Sequence, residues 1–419
     1  MPDTVPDALA EARAEAEATP LEAIDVSVPA RFEADTIWPF FDRLRREAPV
    51  HFCAESQFGP YWSITTWADI LAVETNHRVF SSAEGITIGT AAEDFPIRTF
   101  ISADEPLHST WRKPVMPAVG PQRLDALEAL IRERVGRILD ELPVGETFDW
   151  VERVSVELTA QMLAALFDVP FEDRHRLPYW SDVASAAPSM GAARMDETER
   201  RAILMECHAY FADLWRARAT AEPRFDFISL MAHHPDTRDM IEDPWSLLGN
   251  LILLIIGGND TTRNSISGGV LALNRNPDQY AKLRADPALI PNMVAEVIRW
   301  QTPIAHMRRT ALEDVELGGR TIRAGEKAVM WYVSGNRDDA KFDDPYAFRI
   351  DRRNARSHVS FGYGVHRCMG NHVAEMQLRL LWEEILRRFE TVEVVGPETR
   401  LRSAFIRGIE RLPVRLHPR

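Results

Sequence analysis

The 419-residue chain carries only three cysteines, Cys53, Cys207 and Cys368, and no CxxC spacing relates them. A disulfide framework and a cysteine zinc site are therefore excluded, and buried apolar packing is the commonest role for such thiols. Long hydrophobic runs are missing as well. Stretches such as Leu251 to Ile256 are far too short to cross a bilayer, and the acidic, alanine-rich start lacks the basic beginning and apolar middle of a secretory signal. We expect no membrane anchor and a cytoplasmic location. Positive charge is also short: 49 Lys and Arg face 63 Asp and Glu, and the net charge of −14 argues against general nucleic-acid binding. No Gly/Ser-rich linker or internal repeat divides the chain. Residues 29–419 read as one folded unit behind a flexible acidic segment at 1–28.

What is present is an ordinary globular balance, 45% apolar and 27% charged. Apolar residues recur at three-to-four spacing over 124–142, 149–167, 197–217, 244–273, 291–300 and 371–389, which predicts helices. Short strand signals fall at 50–52, 61–64, 315–317 with 321–322, 328–332 and 412–416. The fold class is mainly α (α+β), a large helical region with a small β-rich one. The longest helix, capped by Asp243 with Pro244 in its first turn, should run about 30 residues, or roughly 45 Å. Near its middle stand Gly257 and Gly258, which cost roughly 1 kcal/mol each relative to alanine and imply that something needs the space.

The third cysteine lies in a turn-rich loop, Phe361-Gly362-Tyr363-Gly364-Val365-His366-Arg367-Cys368-Met369-Gly370, that leads directly into a helix beginning near Asn371. The helix dipole, backbone N–H groups and Arg367 all favour a thiolate there, the form that binds metal. Phe361, Gly364, Cys368 and Gly370 fall at the spacing F-x-x-G-x-x-x-C-x-G, a chance match expected at roughly one in a thousand. The chain thus resembles the cytochrome P-450 superfamily, which implies a P-450 fold and Cys368 as the proximal ligand of haem b.

The same resemblance implies further roles. Asp260 and Thr261 would support O2 activation and proton delivery, although a mid-helix threonine also commonly bonds back one turn. Glu296 and Arg299 would be a structural pair behind the cysteine loop. Its usual third arginine is missing at Ala347, with Arg349 or Arg352 as substitutes. His108, Arg112, Arg309 and His366 would hold the haem propionates, with register uncertain by one at Arg308. About 50 residues follow Cys368, too few for a flavin, nicotinamide or iron–sulfur domain, so electrons from NAD(P)H should arrive through separate proteins, a ferredoxin and a ferredoxin reductase. Arg112, Lys113, Arg352, Arg353, Arg356 and Arg367 would form the docking face. Wording such as LLGNLILLIIGGNDTTRNSISGG (247–269) is similar to the bacterial alkane and fatty-acid terminal hydroxylases. The expected substrate pocket is Ile86, Ile88, Phe100, Leu251, Leu254, Ile255, Gly257, Ile304, Ala305, Met307, Phe405 and Ile406. Hydroxylation of a terpenoid or other secondary metabolite, or a non-catalytic haem sensor or carrier, are the competing readings.

Overall fold

The computed structural model describes residues 4–192 and 195–419. Its axis is the helix Pro244–Arg275, where Asp243 accepts hydrogen bonds from the amides of Trp245 and Ser246 at the N-terminus. The helix stops where Asn276 precedes Pro277. It is buried on almost every face, as a helix with this much apolar surface must be. Against it pack Glu157–Phe167, Arg176–Ser185, Glu197–Ala219, Ile290–Gln301 and Asn371–Arg388. The mainly helical class with a small sheet region is borne out.

The principal sheet has five strands in the order Val50–Cys53, Tyr61–Ile64, Lys327–Met330, Met307–Ala311, Phe80–Ser81. Only Tyr61–Ile64 and Lys327–Met330 run parallel, with Trp62 opposite Ala328. Several elements differ from the sequence reading, among them the strand Met307–Ala311, for which no signal was read. The strand read as ending at Tyr332 stops at Met330, and Tyr332–Gly335 turns into a short helix. The helix read from residue 149 begins as a π-helical stretch, Val151–Val156, and becomes α only at Glu157. The acidic segment read as flexible contains the helix Thr4–Ala18, whose Ala12 and Ala16 are buried. Arg43, on Trp38–Glu47, donates to the carbonyl of Ala16, and Ile24 and Val26 are core. Its small alanine face packs, although its composition alone reads as solvated.

Behind the cysteine loop lies a fully buried ion cluster. Arg299 grips Glu296 through two bonds of 2.7 and 2.8 Å. Arg352 Nε reaches both oxygens of the same carboxylate at 3.1 and 3.2 Å, so Arg352 is the third arginine. The Arg349 side chain is exposed and only its amide meets Glu296. Arg299 also donates to the carbonyl of Asn336, whose side chain bonds Val359 and Ser360 at the head of the cysteine loop.

Candidate active site

A cavity of about 580 Å³ is bounded on one side by the cysteine loop and on another by the middle of the central helix. The loop turns tightly: the Cys368 amide donates to the Phe361 carbonyl at 2.8 Å. Gly364 has φ of 66°, and a Cβ there would stand 2.4 Å from the carbonyl oxygen of Glu74, so only glycine fits. Phe361, Cys368 and Gly370 line the cavity, whereas Gly364 shapes the turn from behind. The cysteine is reached from the cavity but is otherwise enclosed. Burial pushes its thiol up. The Gly370 amide, Arg112, Arg367 and the Asn371 amide pull the other way without overcoming that burial. The helix start and the two arginines therefore ease thiolate formation against the cost of burial.

Across the cavity, Thr261 exposes its side chain and donates to the Gly257 carbonyl at 2.7 Å. The back-bonded threonine and the cavity threonine are thus one and the same. Asp260 is fully buried and off the cavity wall, accepting from Asn259 at 3.0 Å, Ser181 at 3.2 Å and Arg263 at 2.7 Å. Burial raises its carboxyl to about 6, against the pull of Arg263. Arg263 also bonds Asp182, whose side chain is 57% exposed, at 2.9 Å. A chain of polar groups therefore links Asp260 to the surface. The two glycines do different work: a Cβ on Gly257 would meet open space, while one on Gly258 would stand 2.7 Å from Leu163 Cδ2.

Of the four residues expected at the propionates, Arg112, Arg309 and His366 line the cavity and His108 does not. The His108 ring nitrogens lie 2.8 Å from the Phe100 carbonyl and 3.0 Å from that of Val365, so it ties the loops together from behind. Strand alternation puts Arg309, and not Arg308, on the cavity. His366 is held neutral, pushed down to about 2 by burial and then by Arg309. Its Nε2 lies 3.1 Å from Ser82 Oγ, and its buried Nδ1 has no partner. Arg112 donates to the carbonyls of Val365 and Arg367. The sequence reading missed Glu74, a buried carboxylate that accepts from Arg309 at 3.2 Å and from the Tyr332 hydroxyl. Nothing local distinguishes it from a solvated helix end.

The apolar wall is corrected in part. Ile86, Phe100, Leu254, Gly257, Ile304, Met307 and Phe405 reach the cavity. Leu251 and Ile255, one turn apart, face the core. Ile88 and Ala305 pack around Trp331, where the Ile88 amide donates to His306 at 3.1 Å. Ile406 points away from its neighbour Phe405 and pairs with Ile304 in a single β-bridge. Ile252 and Ile256 of the central helix, with Leu163 and Leu166 of Glu157–Phe167 and Leu204 of Glu197–Ala219, fill the wall instead.

With this geometry in hand, the similarities are informative. Residues 216–413 match the family Cytochrome P450. The linalool 8-monooxygenase of Pseudomonas putida is 36% identical over 95% of this chain and the whole of that one. The methyl-branched lipid omega-hydroxylase of Mycobacterium tuberculosis is 32% identical over 89% of this chain and 90% of its own. Among solved structures, cytochrome P450-153 from Novosphingobium aromaticivorans superposes with a TM-score of 0.88 at 44% identity, covering 94% of this chain and 99% of that one. A cysteine at a helix start faces a threonine and a buried acid, and similarity to these enzymes runs along nearly the full length, so this chain belongs to the cytochrome P450 family.

Proposed function

We propose that this P450 monooxygenase hydroxylates the terminal carbon of medium-chain alkanes or fatty acids, with Cys368 as the proximal haem ligand. The observation that carries the reading is the single cavity that joins Cys368 and Thr261 to a wall of aliphatic side chains. The residues present fit haem b. A buried His366 Nδ1 lacks a partner, Arg112 and Arg309 stand on the same cavity, and a Cβ on Gly370 would meet nothing within 4 Å. Arg112, Arg309 and His366 would hold the propionates. Bound there, haem supplies O2 binding and reduction with electrons that start from NAD(P)H.

The chain's own groups handle the proton. The Thr261 hydroxyl presents a hydrogen-bonding oxygen to the open space beside Gly257. Asp260 carries its proton below about 6 and gives it up above. Its carboxyl is raised from 3.8, so the stability of the buried neutral form is complete below about pH 4 and is lost as pH rises through about 6. Asp260→Asn should slow turnover by about 100-fold, within the range for a proton-transfer group. It should also remove an inflection near pH 6 from the profile of turnover against pH, measured at saturating reductant.

Electrons arrive at the basic face. Lys113, Arg353, Arg356 and Arg367 are exposed there, while Arg352 is withdrawn into the Glu296 cluster and Arg112 is half-buried. Reversing the charge at Arg353 and Arg356 should slow reduction by an acidic ferredoxin about tenfold and flatten its salt dependence, as expected when steering is lost. Unchanged stopped-flow reduction would remove the docking assignment.

The substrate class is tested by titrating the holoenzyme with alkanes, fatty acids and linalool, following the haem spin state and identifying products by mass spectrometry. Spin shifts and terminal alcohols from straight chains support the reading. The similarity to the linalool enzyme favours the second one, a branched terpenoid, and shifts by linalool alone would establish it.

A further inference from the structure

At the end of the cavity formed by the first turns of Glu197–Ala219, the wall becomes charged. Arg200 binds Glu197 with two bonds of 2.7 and 2.8 Å. Arg201 gives its Nε to the same carboxylate at 2.8 Å and both terminal nitrogens to Asp94 at 2.7 and 2.8 Å. The ring of Phe95 lies under both guanidiniums, 5.9 Å from Arg200 and 5.1 Å from Arg201. Phe95 is itself wedged against Trp245 at 5.0 Å. Among the described residues, Arg200 and Arg201 are the cavity's only arginines or lysines away from the cysteine end. There, Arg112 bonds the loop's carbonyls, Arg309 bonds Glu74, and Arg367 is part of the loop.

Two arginines at the far end of an apolar cavity are what a fatty-acid carboxylate would need, because a guanidinium fork binds a carboxylate through paired bonds. These forks are taken. Two cations and two carboxylates cancel, and all three nitrogens of Arg201 are engaged. Hydrogen bonds from Arg200 and Arg201 hold Glu197 down to about 2, and Arg201 does the same in direction for Asp94, so both stay ionised at any working pH. A free acid arriving here must give up its own hydration and displace an existing bidentate partner. An alkyl or hydroxymethyl end meets no such cost.

We propose that Asp94, Glu197, Arg200 and Arg201 form a charge-neutral filter that admits uncharged chain ends, such as those of alkanes, primary alcohols and esters, and turns away free carboxylates. Asp94 and Glu197 are its specificity-determining residues: they occupy the arginines that would otherwise anchor an acid. The inference rests on the straight-chain reading above and narrows it.

The test uses the holoenzyme and the double variant Asp94→Asn/Glu197→Gln, titrated with n-alkanes and with the sodium salts of the matching acids while the haem spin state is followed. For the natural protein, the acids should bind at least tenfold more weakly than the alkanes. In the double variant, acid affinity should rise about tenfold and fall again with salt, as for a partly exposed ion pair, while alkane affinity stays within about twofold. Asp94 is largely exposed, so Asp94→Asn alone gives a folded variant with a smaller shift in the same direction. Acids that bind the natural protein as tightly as alkanes, or that gain nothing in either variant, overturn the filter. If no straight chain binds but the double variant gains affinity for a bulky apolar acid, the straight-chain reading fails and the filter stands.

Discussion

Replacing Cys368 by serine should abolish the strongly red-shifted absorbance of the reduced carbon monoxide complex and bring turnover to background. The loop should survive, because the bond that closes it runs from the residue 368 amide to the Phe361 carbonyl and is untouched by a change of side chain. What is lost is the electron-rich sulfur. A thiolate ligand pushes electron density toward O–O cleavage, and a serine hydroxyl is far harder to deprotonate than a thiol. The surroundings cannot compensate, since even the thiol of Cys368 is held above its ordinary value by burial. Circular dichroism that matches the natural protein, with the red-shifted band gone, is the expected pair of results. A folded Cys368→Ser protein that keeps the band would overturn the ligand assignment.

Glu296→Ala should be the most destabilising change outside the cavity. The carboxylate is fully buried between Arg299 and Arg352, themselves almost fully buried. Removing it leaves two desolvated cations facing one another. Breaking a buried pair costs about 3–5 kcal/mol, a large part of the 5–15 kcal/mol that holds a typical domain together. Thermal melts of the haem-loaded protein should show a large drop in Tm with loss of bound haem, because Arg299 is also tied through Asn336 to the head of the cysteine loop. Arg352→Ala should share most of the defect. Arg349→Ala, with an exposed side chain, should stay within about 0.5 kcal/mol of the natural protein. Equal effects at the two positions would contradict the assignment of the third arginine.

Legibility followed the range of the interactions. The central helix was readable nearly to the residue, because Asp243, Pro244 and Asn276-Pro277 mark its ends locally. The cysteine loop was readable for the same reason: its glycines and its helix start are contiguous in sequence. Arg352 was not assignable from spacing alone, since its carboxylate partner lies 56 positions away. The pocket was half legible. The segments named do reach the cavity, although Glu157–Phe167 and Glu197–Ala219 were left out, and the face each one turns inward depends on packing, which put Leu254 on the cavity and Leu251 in the core. No strand was read at Met307–Ala311, where the adjacent Arg308 and Arg309 break the apolar alternation although both are buried. Glu74 is the sharpest case: a carboxylate whose role comes wholly from Arg309 and Tyr332, far along the chain.

The two neighbouring glycines of the central helix divide control of the cavity between them. A methyl at 257 would enter the open space beside Thr261, the space proposed above for oxygen activation, and would touch no neighbouring atom. A methyl at 258 would press on Leu163, which is itself a wall residue on another helix. A step of one residue along the helix therefore separates a change to the open space beside Thr261 from a change to the packing of the cavity wall. For anyone reshaping this cavity, its open volume and the seating of its wall are addressable at adjacent positions.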